Sequence, residues 1–143
     1  MILDVEETFS VGEQYVADSV RSAGDYGVVF EDDGKTGYFY LLAVNDVNQV
    51  LDALHIYNVE QVIDKHIPSA IQLVWTDTWS IACLLINGYC HAIFDISRRF
   101  SYCKTGFPDS HSGWAANTDR KLDDKLFKEI LSKGDTYQRS GAS

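Results

Sequence analysis

The feature that most limits what this chain can fold into is the stretch 71–103, where apolar segments are separated by two- and three-residue turn signals. Ile71 to Thr76 is an apolar run, Asp77-Thr78 a tight turn, and Trp79 to Ile86 the return. Asn87-Gly88 then matches a type I′ turn, whose two central residues both need positive φ. Tyr89 to Ile96, the turn Ser97-Arg98-Arg99 and Phe100 to Cys103 complete the series. Strands joined by connections this short run antiparallel, so the spacing predicts a meander.

The same patterning occurs earlier. Tyr26 to Phe30 and Tyr38 to Val44 read as hairpin arms around Glu31 to Gly37, a turn rich in carboxylates and glycine. Residues 47–58 fit a helical stripe through Val47, Val50, Leu51 and Leu54, but Ile56 and Tyr57 prefer β and no cap introduces a helix, so strand is favoured. Residues 8–20 stay open between helix and strand. A helix is expected near the end, with Asn117 or Thr118 as cap and Asp119 and Asp123 at its positive end. Leu122, Leu126, Phe127, Ile130 and Leu131 would lie on one face, with Lys133-Gly134 as stop. Tyr137 to Ser143 reads as a flexible polar tail. The fold class expected is α+β: one domain over residues 1–143, an antiparallel meander of about six strands with the C-terminal helix packed on it. A chain of 143 residues is long enough to bury such a core without disulfide or metal staples.

Charge bounds the partners. Twenty-one acidic residues against twelve Lys and Arg give a net charge of −9. The distribution is uneven: residues 1–97 hold fifteen acidic and three basic residues, a net of −12, and residues 98–143 a net of +3. Such a body argues against nucleic acid or an anionic membrane as partner. The start of the chain, Met1-Ile2-Leu3-Asp4-Val5-Glu6-Glu7, lacks the basic and apolar regions of a signal peptide, and a cytoplasmic location is expected.

No motif carries an obvious reaction. Cys83, Cys90 and Cys103 are an odd set without CxxC spacing and are expected as buried thiols. His55, His66, His91 and His111 form no short-spaced metal pair, and the Glu31-Asp32-Asp33-Gly34 turn lacks the twelfth-position Glu of a calcium loop. Neither a metal nor a cofactor is expected. Trp75 and Trp79 flank one turn, which favours one ring in the core and the other at the rim beside Asp77; Trp114 reads as a plug in a surface loop.

The segments Val28 to Tyr40, Leu51 to Val59 and Leu85 to Tyr89 resemble a bacterial domain-of-unknown-function family, the one numbered 2251, across roughly residues 26–108. The resemblance to small acidic bacterial proteins implies the company of toxin-neutralising immunity proteins and implies no catalytic residue. The leading expectation is therefore an immunity protein that binds a cognate toxin domain with a cationic active-site cleft and occludes that site. Its partner-binding residues are expected to be Glu31, Asp32, Asp33, Tyr38, Tyr40, Asp77 and Trp79, carboxylates beside aromatics. An alternative is a small-molecule-binding or regulatory domain with an aromatic pocket between sheet and helix. A cysteine-dependent enzyme is the third.

Overall fold

The computed structural model describes residues 1–45, 49–109 and 113–132. Among these residues nine strands form two antiparallel sheets. The strands are β1 (Ile2–Phe9), β2 (Tyr15–Val20), β3 (Tyr26–Asp32), β4 (Thr36–Ala43), β5 (Gln49–Asn58), β6 (Ser69–Trp75), β7 (Ile81–Ile86), β8 (Tyr89–Asp95) and β9 (Phe100–Cys103). A five-stranded sheet has the order β1-β6-β7-β8-β9 and a four-stranded sheet the order β2-β3-β4-β5. One helix, α1 over residues 124–132, follows.

The expected single sheet of about six strands is thus corrected to two stacked sheets. The β6–β9 meander and the β3–β4 hairpin both form, but each is apolar on an inner face, and the segment 59–68 carries the chain from one sheet to the other so that those faces meet. Phe30, Phe39, Leu41 and Leu54 of the smaller sheet pack against Ile71, Leu73, Leu84 and Phe94 of the larger, with the Phe39 and Phe94 rings stacked at 5.1 Å. Residues 8–20, open between helix and strand, end β1 and form β2, one strand for each sheet. Residues 49–58 are a strand, as favoured.

Turn chemistry follows the sequence at one hairpin and departs from it at another. Asn87 and Gly88 have φ of 53° and 83°, the pair of positive values a type I′ turn needs. The Asn87 side chain also accepts the Ala70 N–H at 2.9 Å, tying the turn to β6. The β6–β7 turn is longer than Asp77-Thr78. It runs to Ser80, with Trp79 at φ 61° donating its N–H to Thr76 O, so β7 begins at Ile81.

The helix is capped by Asp123, whose Oδ1 accepts the Leu126 N–H at 2.7 Å, not by Asn117 or Thr118. Asn117 instead bonds both the N–H and C=O of Ser101 and stitches the 113–122 segment to β9. Lys133-Gly134 and the expected tail 137–143 lie outside the described residues. Leu122 and Ile130 cover Ile81, Cys83 and Ile93 on the outer face of the larger sheet. A recess of about 100 Å³ lies beside this contact, lined by Phe100, Tyr102, Leu126 and Ile130 among others.

The 113–122 segment also closes the side of the sandwich between β5 and β9. Arg120, 2% exposed, reaches into the core to pair with Asp52, with both guanidinium-to-carboxylate distances 3.1 Å. Ser101 donates to the same carboxylate at 2.6 Å, and Ala53 O accepts from Arg120 at 2.8 Å. No helix among the described residues is long and apolar enough to cross a membrane.

Candidate functional site

Three consecutive carboxylates at the end of β3 have three different fates. Strand alternation turns Glu31 to the outer face of the smaller sheet and Asp32 to the inner one. Asp32 is 1% exposed: Oδ1 accepts the Gly34 N–H at 2.8 Å, and Oδ2 accepts the Gly12 N–H at 2.8 Å and the Tyr57 hydroxyl at 2.7 Å. The expected partner-binding residue Asp32 thus faces the interior, where its carboxylate holds the 10–14 loop, the β3–β4 turn and β5 together. Burial and this carboxylate push the Tyr57 hydroxyl pKa well up. The Tyr57 ring lies so close over Gly37 that a Cβ there would sit 2.6 Å from a ring carbon, so the latch needs glycine at 37. Asp33 is exposed and caps the turn, accepting the N–H groups of Lys35 and Thr36; these bonds hold its carboxyl below the usual range.

Tyr38 and Tyr40 alternate with buried Phe39 and Leu41 and so share the outer face with Glu31. Their rings stack at 5.9 Å and 16°, and Tyr38 meets the edge of His55 at 5.4 Å. The strand register extends this into rows: Val16, Glu31, Tyr38 and His55 across the four strands, then Asp18, Val29, Tyr40 and Ala53. Partial burial, followed by the charge of Glu31, raises the Tyr40 pKa. Val16, Val20 and Val50, at 57%, 43% and 54% exposure, leave apolar surface at the margins. Among the described residues no element packs on this face, whereas α1 covers the corresponding face of the other sheet.

Asp77 and Trp79 are elsewhere. Trp79 packs on buried Trp75 at 5.6 Å and its carbonyl accepts from Arg21, which also bonds Asp25 and stacks over Tyr26. Asp77 pairs with the Met1 ammonium at 2.7 Å. Both residues sit at the Tyr26 end of β3, while Glu31 and Asp33 are at the other, roughly 20 Å away at ~3.3 Å per residue. The structure brings together Glu31, Asp33, Tyr38 and Tyr40, and separates Asp77 and Trp79 from them. Asp18, Val29 and His55 belong to the same face but were not expected there. Period-2 alternation within β2 and β5 marks them once those strands and their register are known.

The cysteines lie where expected. All three thiols are buried, and Cys83, beside Cys90 under α1, is pushed well up by a hydrogen bond with Cys90 and by burial. A thiol in that state is a poor nucleophile. Trp114 plugs the core against Phe94 with Arg99 over its ring. Among the described residues no three His, Cys, Asp or Glu side chains converge as a metal site. The open face offers aromatic and apolar surface framed by carboxylates, an arrangement suited to recognition.

Residues 9–131 match DUF2251, described as an uncharacterized protein conserved in bacteria. The chain belongs to this family. The DUF2251 match includes all of β2 to β9 and the described part of α1 up to residue 131, so it takes in both the open face and the covered one. A protein of Haemophilus influenzae, described as uncharacterized, is 41% identical over 92 residues, which is 62% of this chain and 57% of that relative's length. No solved structure matches the chain.

Proposed function

We propose that this DUF2251 protein is a toxin-neutralising immunity protein that binds a cognate bacterial toxin domain in the cytoplasm and occludes a cationic active-site cleft. The observation that carries this reading is the contrast between the two outer sheet faces. One is covered by α1; the other presents the Tyr38–Tyr40 stack inside a frame of Asp18, Glu31 and Asp33. Stacked tyrosines supply rigid contact area with little conformational entropy to lose, and the carboxylates favour a partner of opposite charge and speed its approach. The −12 charge of residues 1–97 acts in the same direction at longer range.

Co-expression with the product of the adjacent gene tests the proposal, read by affinity co-purification of the two named chains and by growth rescue when that product is toxic. Absence of both a complex and rescue overturns it. Tyr38→Ala with Tyr40→Ala is expected to weaken the complex roughly 1,000-fold, from ~2 kcal/mol for each central aromatic anchor. The double variant should keep its melting temperature within a few degrees, since both rings lie outside the core. Asp77→Ala should leave affinity unchanged; a large loss there would move the interface to the opposite end of the sandwich.

A further inference from the structure

A second site lies at the end of the sandwich, between the β3–β4 turn and the segment that follows β5. It is a cleft of about 500 Å³ whose walls include Lys35, Thr36, Asn58, Glu60 and Lys65, with Val59 between them. Its size falls within the range of small-molecule sites. Its charge is the reverse of its surroundings. Of the three Lys and Arg side chains in residues 1–97, Arg21 is consumed by Asp25 through two bonds of 2.6 and 2.7 Å. The other two, Lys35 and Lys65, both line this cleft, and of the fifteen acidic residues only Glu60 joins them.

The peptide of Val59 positions both lysines. Its N–H donates to Lys35 O at 2.8 Å, and its C=O accepts from Lys65 Nζ at 3.1 Å. That bond uses one of the three ammonium donors of Lys65 and leaves two for a ligand. The Lys35 backbone is held from its other side by Asp33, which accepts its N–H at 2.9 Å, while its ammonium has no ion pair among the described residues. Two like charges brought to one concave site repel each other and are relieved by a bound anion.

We infer that this cleft binds a small, multiply charged anion, a phosphate- or carboxylate-bearing solute bridged by the ammonium groups of Lys35 and Lys65. The inference does not rest on the proposed immunity role, because neither lysine belongs to the open sheet face. The full chain, labelled with ¹⁵N, is titrated with pyrophosphate and separately with citrate, the ionic strength held constant with sodium chloride. Saturable amide shifts confined to Gly34, Lys35, Thr36 and Val59 are expected with at least one of the two, and the responding probe identifies the ligand class. In Lys35→Gln/Lys65→Gln the dissociation constant should rise at least tenfold, and Lys104→Gln should not change it. Lys35→Gln alone, whose side chain is exposed, should weaken binding with an unchanged spectrum elsewhere, which separates lost binding from lost folding. No saturable shift with either probe, or the same shifts in the double variant, overturns the inference.

Discussion

Replacing Asp32 by alanine should cost far more stability than the same change at its neighbour Asp33. The Asp32 carboxylate accepts three hydrogen bonds, from the Gly12 and Gly34 N–H groups and the Tyr57 hydroxyl, and is 1% exposed. Hydrogen bonds to a charged group contribute about 1.5–3 kcal/mol each, and donors stranded in the interior add their desolvation. The three bonds share one acceptor and are not additive, so the expected loss is about 3–5 kcal/mol, a large part of a typical domain's stability. With a urea slope near ~2 kcal/mol/M, the unfolding midpoint should fall by about 2 M. Tyr57→Phe removes one donor and should cost about 1–2 kcal/mol. In the Asp32→Ala/Tyr57→Phe double variant the two losses should overlap by about 1 kcal/mol or more. Asp33→Ala, in an exposed turn, should move the midpoint much less. A midpoint for Asp32→Ala within about 0.5 M of the parent, or a larger effect at Asp33, would refute the latch.

Arg120→Met should lower stability by about 3–5 kcal/mol in thermal or urea unfolding, because it leaves the Asp52 carboxylate buried without its counter-charge. Asp52→Leu together with Arg120→Met should recover most of that loss. Burial, followed by the charge of Lys104, lowers the His91 pKa from 6.5 to about 4. The unfolded chain therefore binds the extra proton first on acidification. The contribution is complete above about pH 6.5 and lost as the pH falls toward 4, a change on the order of 2–3 kcal/mol. His91→Gln should flatten the stability profile across that window. Cys83, Cys90 and Cys103 should resist a thiol-labelling reagent in the native state and react fully in denaturant; rapid labelling of one thiol in the folded protein would revive a cysteine-dependent activity.

The candidate site was legible in pieces. Tyr38 and Tyr40 are marked in the sequence as aromatics beside the carboxylate-rich turn; that they share one face follows from their alternation with buried Phe39 and Leu41 in β4. The same rule, applied to Glu31-Asp32-Asp33, separates Asp32 from Glu31. The expectation treated the three as one acidic turn, and β3 in fact continues through Asp32. Trp79 and Asp77 are placed together by the turn they share, and only the direction of β3 reveals that they lie at the far end from Glu31 and Asp33.

Local chemistry is written in the chain itself. The period-2 patterning, Asn87-Gly88 and the apolar spacing of residues 122–131 specify the meander, its central turn and the face of α1, because each depends on residues close in sequence. The division into two sheets, the Asp52–Arg120 pair and the open face of β2–β5 depend on which strands meet across long separations. Alternation says that a strand has two faces. The stacking of the sheets, and α1 lying on only one of them, decided which outer face is uncovered among the described residues.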